Sequence, residues 1–508
     1  MPKGRDHHVV IIGSGMGGLA SAVELAVAGI NVTLIEQGPK VGGKCQQLMV
    51  NGVGIDTGPT VFTMRWILDP LFEKAGTRLE EMLSVHRASV LARHAWSGHE
   101  RLDLFADRQR SADAIDAFSS RAEADRFLRF CDQAQVTYRT LEKAYIRSER
   151  PTLWSMNADL GLSGLKVLWD LGMFQSLWQS LSRHFRDPRL HQLFSRYSTY
   201  CGSSPLVAPA TLMLIADVEM QGVWVIDGGM TALAKALAGL AEQHGATIRL
   251  NQACRKILMQ DDQVIGVQLA SGETVAADSV IFNGDVAALG DLIGAPTAPP
   301  KNRSLSALTL SMHAQANGFP LVHHNLFFNQ DYASEFQDIF DHQRLPTKPT
   351  IYICAQDRRD DDHHRPAPER LLMLINAPAI GDTHEFKAEE TSQCLDAAFC
   401  LMDQAGLTID RTDSNLLMTS PNQFHQWFPA TGGALYGQAT HGWMSAFDRP
   451  GSTCKIKGLY LAGGSVHPGP GVPMATMSGR LAAATLMGHL GLIKSSGRVV
   501  ISGGTSMH

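Results

Sequence analysis

The first residues in this chain that could do chemistry are three glycines and an acid near its amino end. Gly13, Gly15 and Gly18 fall at the spacing G-x-G-x-x-G, and Glu36 follows 18 residues after Gly18. At that spacing the first glycine permits a tight turn, and the second lets the backbone close on a pyrophosphate. The third lets a helix pack tightly on a strand. The free N–H groups at the helix start would hold the phosphates. Glu36 would accept hydrogen bonds from both ribose hydroxyls and would repel a 2′-phosphate, so NADP is disfavoured there.

Glycine-rich turns are common, and it is the flanking order that gives this one meaning. Val9-Val10-Ile11-Ile12 is a short apolar, β-branched run that reads as a buried parallel strand. The stretch LASAVELAVAG reads as a helix closing on Gly29, and Val32-Thr33-Leu34-Ile35 as the next strand, ending at Glu36. A nicotinamide dehydrogenase would return directly to another βα unit. Here Gly42-Gly43-Lys44 and then Asp56-Thr57-Gly58-Pro59-Thr60 follow, segments where the backbone can approach a second part of a cofactor. That arrangement favours a flavin. Lys44 is either a phosphate partner or a solvated lysine.

The other end of the chain repeats the pattern of strand, loop and helix start. Gly458-Leu459-Tyr460-Leu461-Ala462 reads as a strand opening on a glycine- and proline-rich loop, Gly463 to Pro473, before the helix MATMSGRLAAATLMGHL. A helix amino end beside this loop would suit the electron-rich edge of a reduced flavin. His467 is the one titratable side chain inside the loop. It is a weak candidate for a proton acceptor; fixing the loop by hydrogen bonds is the commoner role for such a histidine. Between the ends, TALAKALAGLAEQHG reads as an amphipathic helix, and 247–250 as a strand. Residues 257–259, 264–269 and 273–275 read as a meander turning at Asp261-Asp262 and Ser271-Gly272. Ser279-Val280-Ile281-Phe282 is a buried strand ending at Asn283-Gly284-Asp285.

The 508 residues exceed what one core usually organises, so at least two domains are expected. The expectation is an α/β protein. A Rossmann-type dinucleotide domain is assembled from 1–85, 225–305 and 450–490. A substrate domain of mixed sheet and helical cap comes from 86–224 and 306–449, and a mobile tail follows from 494 to 508. A net charge of −5 without a basic block argues against nucleic acid as a partner. Eight scattered cysteines with no C-x-x-C pair suit reduced thiols in the cytoplasm better than a disulfide framework or a metal site. Asp360-Asp361-Asp362-His363-His364 reads as a solvated loop, and Cys394 and Cys400 as buried helix residues. No run of 18 apolar residues occurs, so any membrane contact would be peripheral.

The segments VVIIGSGMGGLASAVELAVAGINVTLIEQGPKVGGK, IDTGPTVFTM and GLYLAGGSVHPGPGVPMATMSGRLAA resemble the bacterial carotenoid desaturases of the phytoene-desaturase type, within the amine-oxidase-like flavoproteins. The resemblance runs from about residue 8 to 490. WVIDGGM, YSTYCGSSPLVAPATLMLIADVE, GFPLVHHNLFF and PTIYICAQDR are most similar to the 1-hydroxycarotenoid 3,4-desaturase subfamily, the hydroxyneurosporene and methoxyneurosporene dehydrogenases. The resemblance implies FAD contacts from Gly13, Gly15, Gly18, Glu36, Gly43, Lys44, Pro59 and Thr60. It also implies a main-chain contact to adenine near Cys254, and contacts from Gly464 and the loop as far as Met474. Many members of the wider superfamily carry an acid where this chain has Gly464, so the ribityl contact would fall to backbone or to Ser465.

The implied reaction removes a hydride and a proton from adjacent carbons, with the flavin taking the hydride. The intervening cation would be delocalised over the polyene, and no acid–base dyad is evident in the sequence. No second nucleotide motif is found, so oxygen or a membrane quinone is the expected electron acceptor. The aromatic-rich stretch from Leu160 to Phe185 places Leu162, Leu165, Trp169, Met173, Leu177 and Leu181 at helical spacing. It would be an interfacial helix admitting a carotenoid from the bilayer, or a core-facing helix. Alternatives on the same fold are a phytoene-type desaturase, a carotenoid isomerase or an oxygenase. A soluble amine or protoporphyrinogen-type oxidase, or a flavoprotein that only carries carotenoid, would be a different class.

Overall fold

A computed structural model describes residues 7–97, 99–149, 172, 174–295, 302–359, 367–445 and 447–493. The run His8–Ile12, whose last four residues are all buried, forms the middle strand of a five-stranded parallel sheet. Asn31–Ile35 and then Thr247–Arg249 lie on one side of it. Ser279–Phe282 and then Leu459–Leu461 lie on the other. Val10 pairs with Thr33 across one edge and Val280 across the other. All four residues of Ser279–Phe282 are buried, as a strand covered on both faces requires.

Three helices cover one face of this sheet. The glycine-loop helix Met16–Val27 is buried along almost its whole length. It packs against Gly229–Gln243 and against the C-terminal helix Val472–His489. Leu19, Val23, Leu237, Leu240, Ala483 and Leu486 are among the residues that share this core. The other face carries the meander Cys254–Gln260, Gln263–Leu269 and Thr274–Ala276. Its first turn falls at Asp261-Asp262, both with positive φ.

A seven-stranded mixed sheet forms the second body. Its order is Leu416–Thr419, Ser306–Ala314, Glu369–Ala377, Ile351–Ala355, His324–Phe327, Val90–Ala95 and Arg101–Phe105. Only His324–Phe327 against Val90–Ala95 is parallel. Helix Arg121–Leu141 and the shorter helices Leu177–His184, Pro188–Ser195 and Leu214–Gln221 form a cap with an aromatic centre that includes Phe127, Phe130, Phe185 and Phe194. The long helix runs into a wider π turn, Glu142–Ile146, which carries Tyr145.

Two expectations need correction. The stretch from Leu160 to Phe185 is not one continuous helix, because a helix starts afresh at Leu177. Ser176 caps it, accepting from the Gln179 N–H. Leu177 and Leu181 are fully buried in the cap core, so this part of the stripe faces inward. The earlier members Leu162, Leu165, Trp169 and Met173 lie outside the described residues, as do the Asp360–His364 run and the tail from 494. Cys400 is exposed, whereas Cys394 is buried as expected. The two stand six residues apart on helix Ala388–Gln404, and only Cys394 turns to the core with Ala398 and Met402.

Candidate functional site

The strand–glycine–helix unit turns as its residue types require. Gly13 has φ +96°, open to glycine and strained for other residues. A Cβ on Gly18 would stand 2.1 Å from the Gly13 carbonyl, so the loop folds back on its own helix only because position 18 has no side chain. Gly43, at φ +58°, packs on Gly15, its absent Cβ 3.0 Å from the Gly15 Cα. Glu36 accepts from the Ser14 N–H at 2.8 Å, the Ser14 hydroxyl at 2.7 Å and the Gly38 N–H at 2.7 Å. The acid at the end of the second strand is therefore fixed in orientation at the rim of the glycine turn. With three bonds accepted, the carboxylate keeps about one lone-pair site for a ribose hydroxyl.

The far end of the chain completes this rim. The C-terminal helix starts at Val472 after Gly471 with no side-chain cap, so its first N–H groups remain available. Gly479 on that helix sits directly on Gly17, where a Cβ would stand 2.0 Å from the Gly17 carbonyl. The two helix amino ends, at Met16 and Val472, thus converge on one space from opposite ends of the described chain.

That space is a single large cavity of about 1220 Å³. Gly13, Gly15, Glu36, Gly43, Lys44, Pro59, Thr60, Cys254, Gly464, Ser465 and Met474 all line it. Gly18 is not in its wall, and its part is the close helix packing just described. Lys44 donates to the Leu435 carbonyl and lies over the Phe428 ring, 5.3 Å from its centroid. Burial lowers its pKa, against the pull of Asp285. The Ser465 hydroxyl accepts from the Val286 N–H.

His467 stands apart. It is buried and outside the cavity wall, its Nε2 3.0 Å from the Tyr145 carbonyl and its ring edge-on to the Tyr145 ring. The nitrogen that meets a carbonyl must be the N–H, so it is not a free acceptor. Burial pushes its pKa down to about 4. Through that bond the histidine ties the C-terminal loop to the π turn.

Several residues of this site were not singled out from the sequence. Asn283 donates from Nδ2 to the Gly13 carbonyl at 3.0 Å, while its Oδ1 lies against the absent Cβ positions of Gly17 and Gly463. It follows a central parallel strand, the usual place for ligand-side residues in such sheets, and that position was the available signal. Arg449 is enclosed, its guanidinium holding the Tyr436, Gln438 and Gly464 carbonyls. Nothing in its sequence context marks it.

Away from the glycine turns the cavity continues between the seven-stranded sheet and the cap. Leu326, Leu372 and Leu374 come from the sheet, and Leu212, Leu214, Ile215 and Val218 from the cap. Two polar clusters in this part are bonded within themselves, while the Thr309 and Thr350 hydroxyls have no partner among the described residues. Glu219 accepts from Arg196, Tyr197 and Tyr200. Tyr352 lies 2.6 Å from Thr60 and 2.7 Å from His324. The arrangement offers a long apolar slot that meets a dinucleotide-shaped cradle at the Pro59-Thr60 segment. The cradle's missing side chains and two free helix amino ends fit a flavin dinucleotide.

Known proteins agree with this construction. The family of flavin containing amine oxidoreductases matches residues 16–487. A hydroxyneurosporene desaturase of Rubrivivax gelatinosus is 57% identical over 99% of this chain and 97% of its own length. One from Rhodobacter capsulatus is 40% identical over 94% and 97%. More distantly, a 4,4'-diapolycopene oxygenase of Methylomonas is 29% identical over 95% of this chain and 98% of its own. Among solved structures, a putrescine oxidase bound to putrescine superposes with TM-score 0.58 at 16% identity, over 95% of this chain and 99% of its own, which speaks for the fold alone. The chain belongs to the flavin containing amine oxidoreductases, among the carotenoid desaturases of that family, and is an FAD-dependent oxidoreductase.

Proposed function

We propose that this enzyme dehydrogenates the C3–C4 bond of acyclic 1-hydroxy- or 1-methoxycarotenoids. The observation that carries the reading is the near full-length similarity to hydroxyneurosporene desaturases. The apolar slot beside the cofactor cradle supports it, because a polyene chain needs a long dry channel and few polar contacts.

The residues divide the work as follows. FAD, when bound, supplies the two-electron acceptor for the hydride. Gly13, Gly15 and Gly18 with the first N–H groups of Met16–Val27 would hold the pyrophosphate, and Glu36 the adenosine ribose. The main chain near Cys254 would meet the adenine, and Gly43 and Lys44 the phosphate side. Pro59, Thr60, Gly464, Ser465 and Met474 would enclose the ribityl chain and ring system. Leu326, Leu372 and Leu374 against Leu212, Ile215 and Val218 would align the polyene and exclude water.

Peripheral contact with the cytoplasmic face of a membrane belongs to the same proposal. Among the described residues no helix is long and apolar enough to cross a membrane. Phe174, Val207 and Met444 are nevertheless exposed. Phe174 packs edge-on against Trp443, which lines the cavity, and the Gly442 N–H donates to the Val207 carbonyl. An apolar rim at a cavity wall suits entry of a lipid from the bilayer. All eight cysteines are free, in keeping with a reducing compartment. Oxygen or a membrane quinone would reoxidise the cofactor.

The test is anaerobic mixing of the FAD-loaded protein with liposomes carrying 1-hydroxyneurosporene, read by flavin absorbance and product chromatography. Bleaching with a red-shifted product two hydrogens lighter is expected. Bleaching with phytoene alone would move the enzyme to an earlier desaturation. Turnover of a soluble amine and of no carotenoid would overturn the reading, as would carotenoid binding without flavin reduction.

A further inference from the structure

We propose that Tyr352 and His324 take up the proton lost in the dehydrogenation and pass it to a second cavity that adjoins the active site. The proposal rests on the reaction class argued above.

Strand register brings the groups together. Across the seven-stranded sheet Leu326, Tyr352 and Leu374 stand in one row, and all three line the large cavity. Tyr352 is the polar member of that trio. Its hydroxyl lies 2.6 Å from the Thr60 hydroxyl, on the segment where the apolar slot meets the cofactor cradle. The same hydroxyl lies 2.7 Å from Nδ1 of His324, which is buried behind it. With Thr60 donating to Tyr352 and Tyr352 to Nδ1, the imidazole carries its hydrogen on Nε2, an atom that has no protein partner.

Alongside this pair lies a separate cavity of about 310 Å³, which Pro59 and Thr60 also wall. His323 and Cys354 line it, and so do Asp56 and the ion pairs of Asp227 with Arg359 and Asp357 with Arg370. The His323 ring stands edge-on to the His324 ring with centroids 4.6 Å apart. The donor atoms of His323, His324 and Cys354 all lie within 4.8 Å of one another. Polar side chains therefore run from the reaction space to the edge of a charged pocket, with one gap at His324 Nε2 that no atom of the described residues fills. In a slot built for hydrocarbon, such a series needs a reason, because enclosed polar groups are costly unless they are satisfied or used. Glu219 could not serve instead, being held by Arg196, Tyr197 and Tyr200.

The step balances without a further reactant. One C–H bond would break with its electron pair leaving as hydride, which FAD, when bound, would accept. The neighbouring C–H bond breaks with its pair staying behind to form the new double bond. Its proton joins the Tyr352 oxygen as the phenol's own proton moves to His324 Nδ1. The imidazolium so formed loses its Nε2 proton, by way of water, to the second cavity. A weak base is enough, since a proton beside a carbocation is strongly acidic.

Tyr352→Phe in the holoenzyme tests this. Anaerobic flavin reduction by 1-hydroxyneurosporene in liposomes should slow by about 10-fold or more, with FAD affinity and carotenoid binding unchanged. A rate within about twofold of wild type would overturn the proposal. An independent measurement uses the flavin-free protein with 15N-labelled histidine. The expected spectrum shows His324 protonated on Nε2, with its Nδ1 resonance moving in Tyr352→Phe. A proton on Nδ1 in the wild type would overturn the relay's direction. If the wild type reduces no flavin with any carotenoid, the functional reading falls while the nitrogen spectrum still decides the hydrogen bond.

Discussion

Replacing Gly479 by alanine should damage cofactor binding although the residue lies outside every nucleotide motif. The added Cβ would stand 2.0 Å from the Gly17 carbonyl, about 1.4 Å inside the 3.4 Å at which ordinary contact begins. It would also press on the Gly17 Cα at 2.9 Å. These are backbone atoms of a helix buried along its length, so no side chain can swing away. Relief requires the C-terminal helix to lift from the glycine-loop helix, which pulls apart the two amino ends that converge on the cradle. Overpacking of this kind costs about 1–3 kcal/mol, and more where backbone must move. At roughly 2 kcal/mol, if the strain is released by loosening the cradle, FAD should bind about 30-fold more weakly. The assay is a fluorescence titration of FAD into stripped protein, with thermal unfolding of apo and loaded forms alongside. Gly239→Ala is the control, since a Cβ there meets nothing within 4 Å. Wild-type FAD affinity and unaltered unfolding in Gly479→Ala would refute the argument that this crossing holds the site together.

Other expectations follow from the same geometry. Glu36→Ala removes an acceptor for the Ser14 and Gly38 N–H groups as well as for the ribose, and should weaken FAD by about 10-fold or more in the same titration. Arg449→Met leaves the Tyr436, Gln438 and Gly464 carbonyls without their donor, and should cost about 2–4 kcal/mol in chemical denaturation. Burial raises the Glu335 pKa from 4.5 to about 7 despite its bonds to Thr350 and Asn376. A carboxyl raised on folding favours the folded state in full below pH 4.5, and that advantage is lost as pH climbs to 7. It should amount to about 3 kcal/mol across that window. Glu335→Gln should flatten the fall in stability over that range, as read from urea midpoints at successive pH values.

The cofactor half of the fold was legible because its signals are local. The run Val9–Ile12, the glycines after it, the amphipathic helix and Glu36 all fall within 30 residues, and the parallel strands came out within a residue or two. The loop at 463–473 was readable for the same reason. What depended on contacts distant in sequence was not. Gly479 looks like any helix glycine until Gly17 is placed beneath it. Asn283 and Arg449 act on carbonyls from other segments. Tyr352 and His324 meet only because two antiparallel strands share a register, which short apolar runs do not specify. The stripe from Leu160 to Phe185 misled because helical spacing does not reveal a break. Ser176 followed by Gln179 forms a capping box, and that was the overlooked sign of a new helix start.

The order of strands in the parallel sheet also bears on how a ribosome delivers this protein. The strand made first, His8–Ile12, sits in the middle, and one of its flanks stays bare until residues 279–282 emerge. The edge strand at 459–461 and the helix that closes the cradle come later still. For most of translation the nascent chain holds a half-built sheet with an open edge, a natural client for chaperones. Cofactor loading must then wait until the helix at 472–489 has emerged. Chains cut short before residue 472 should emerge colourless, however much of the nucleotide motif they contain.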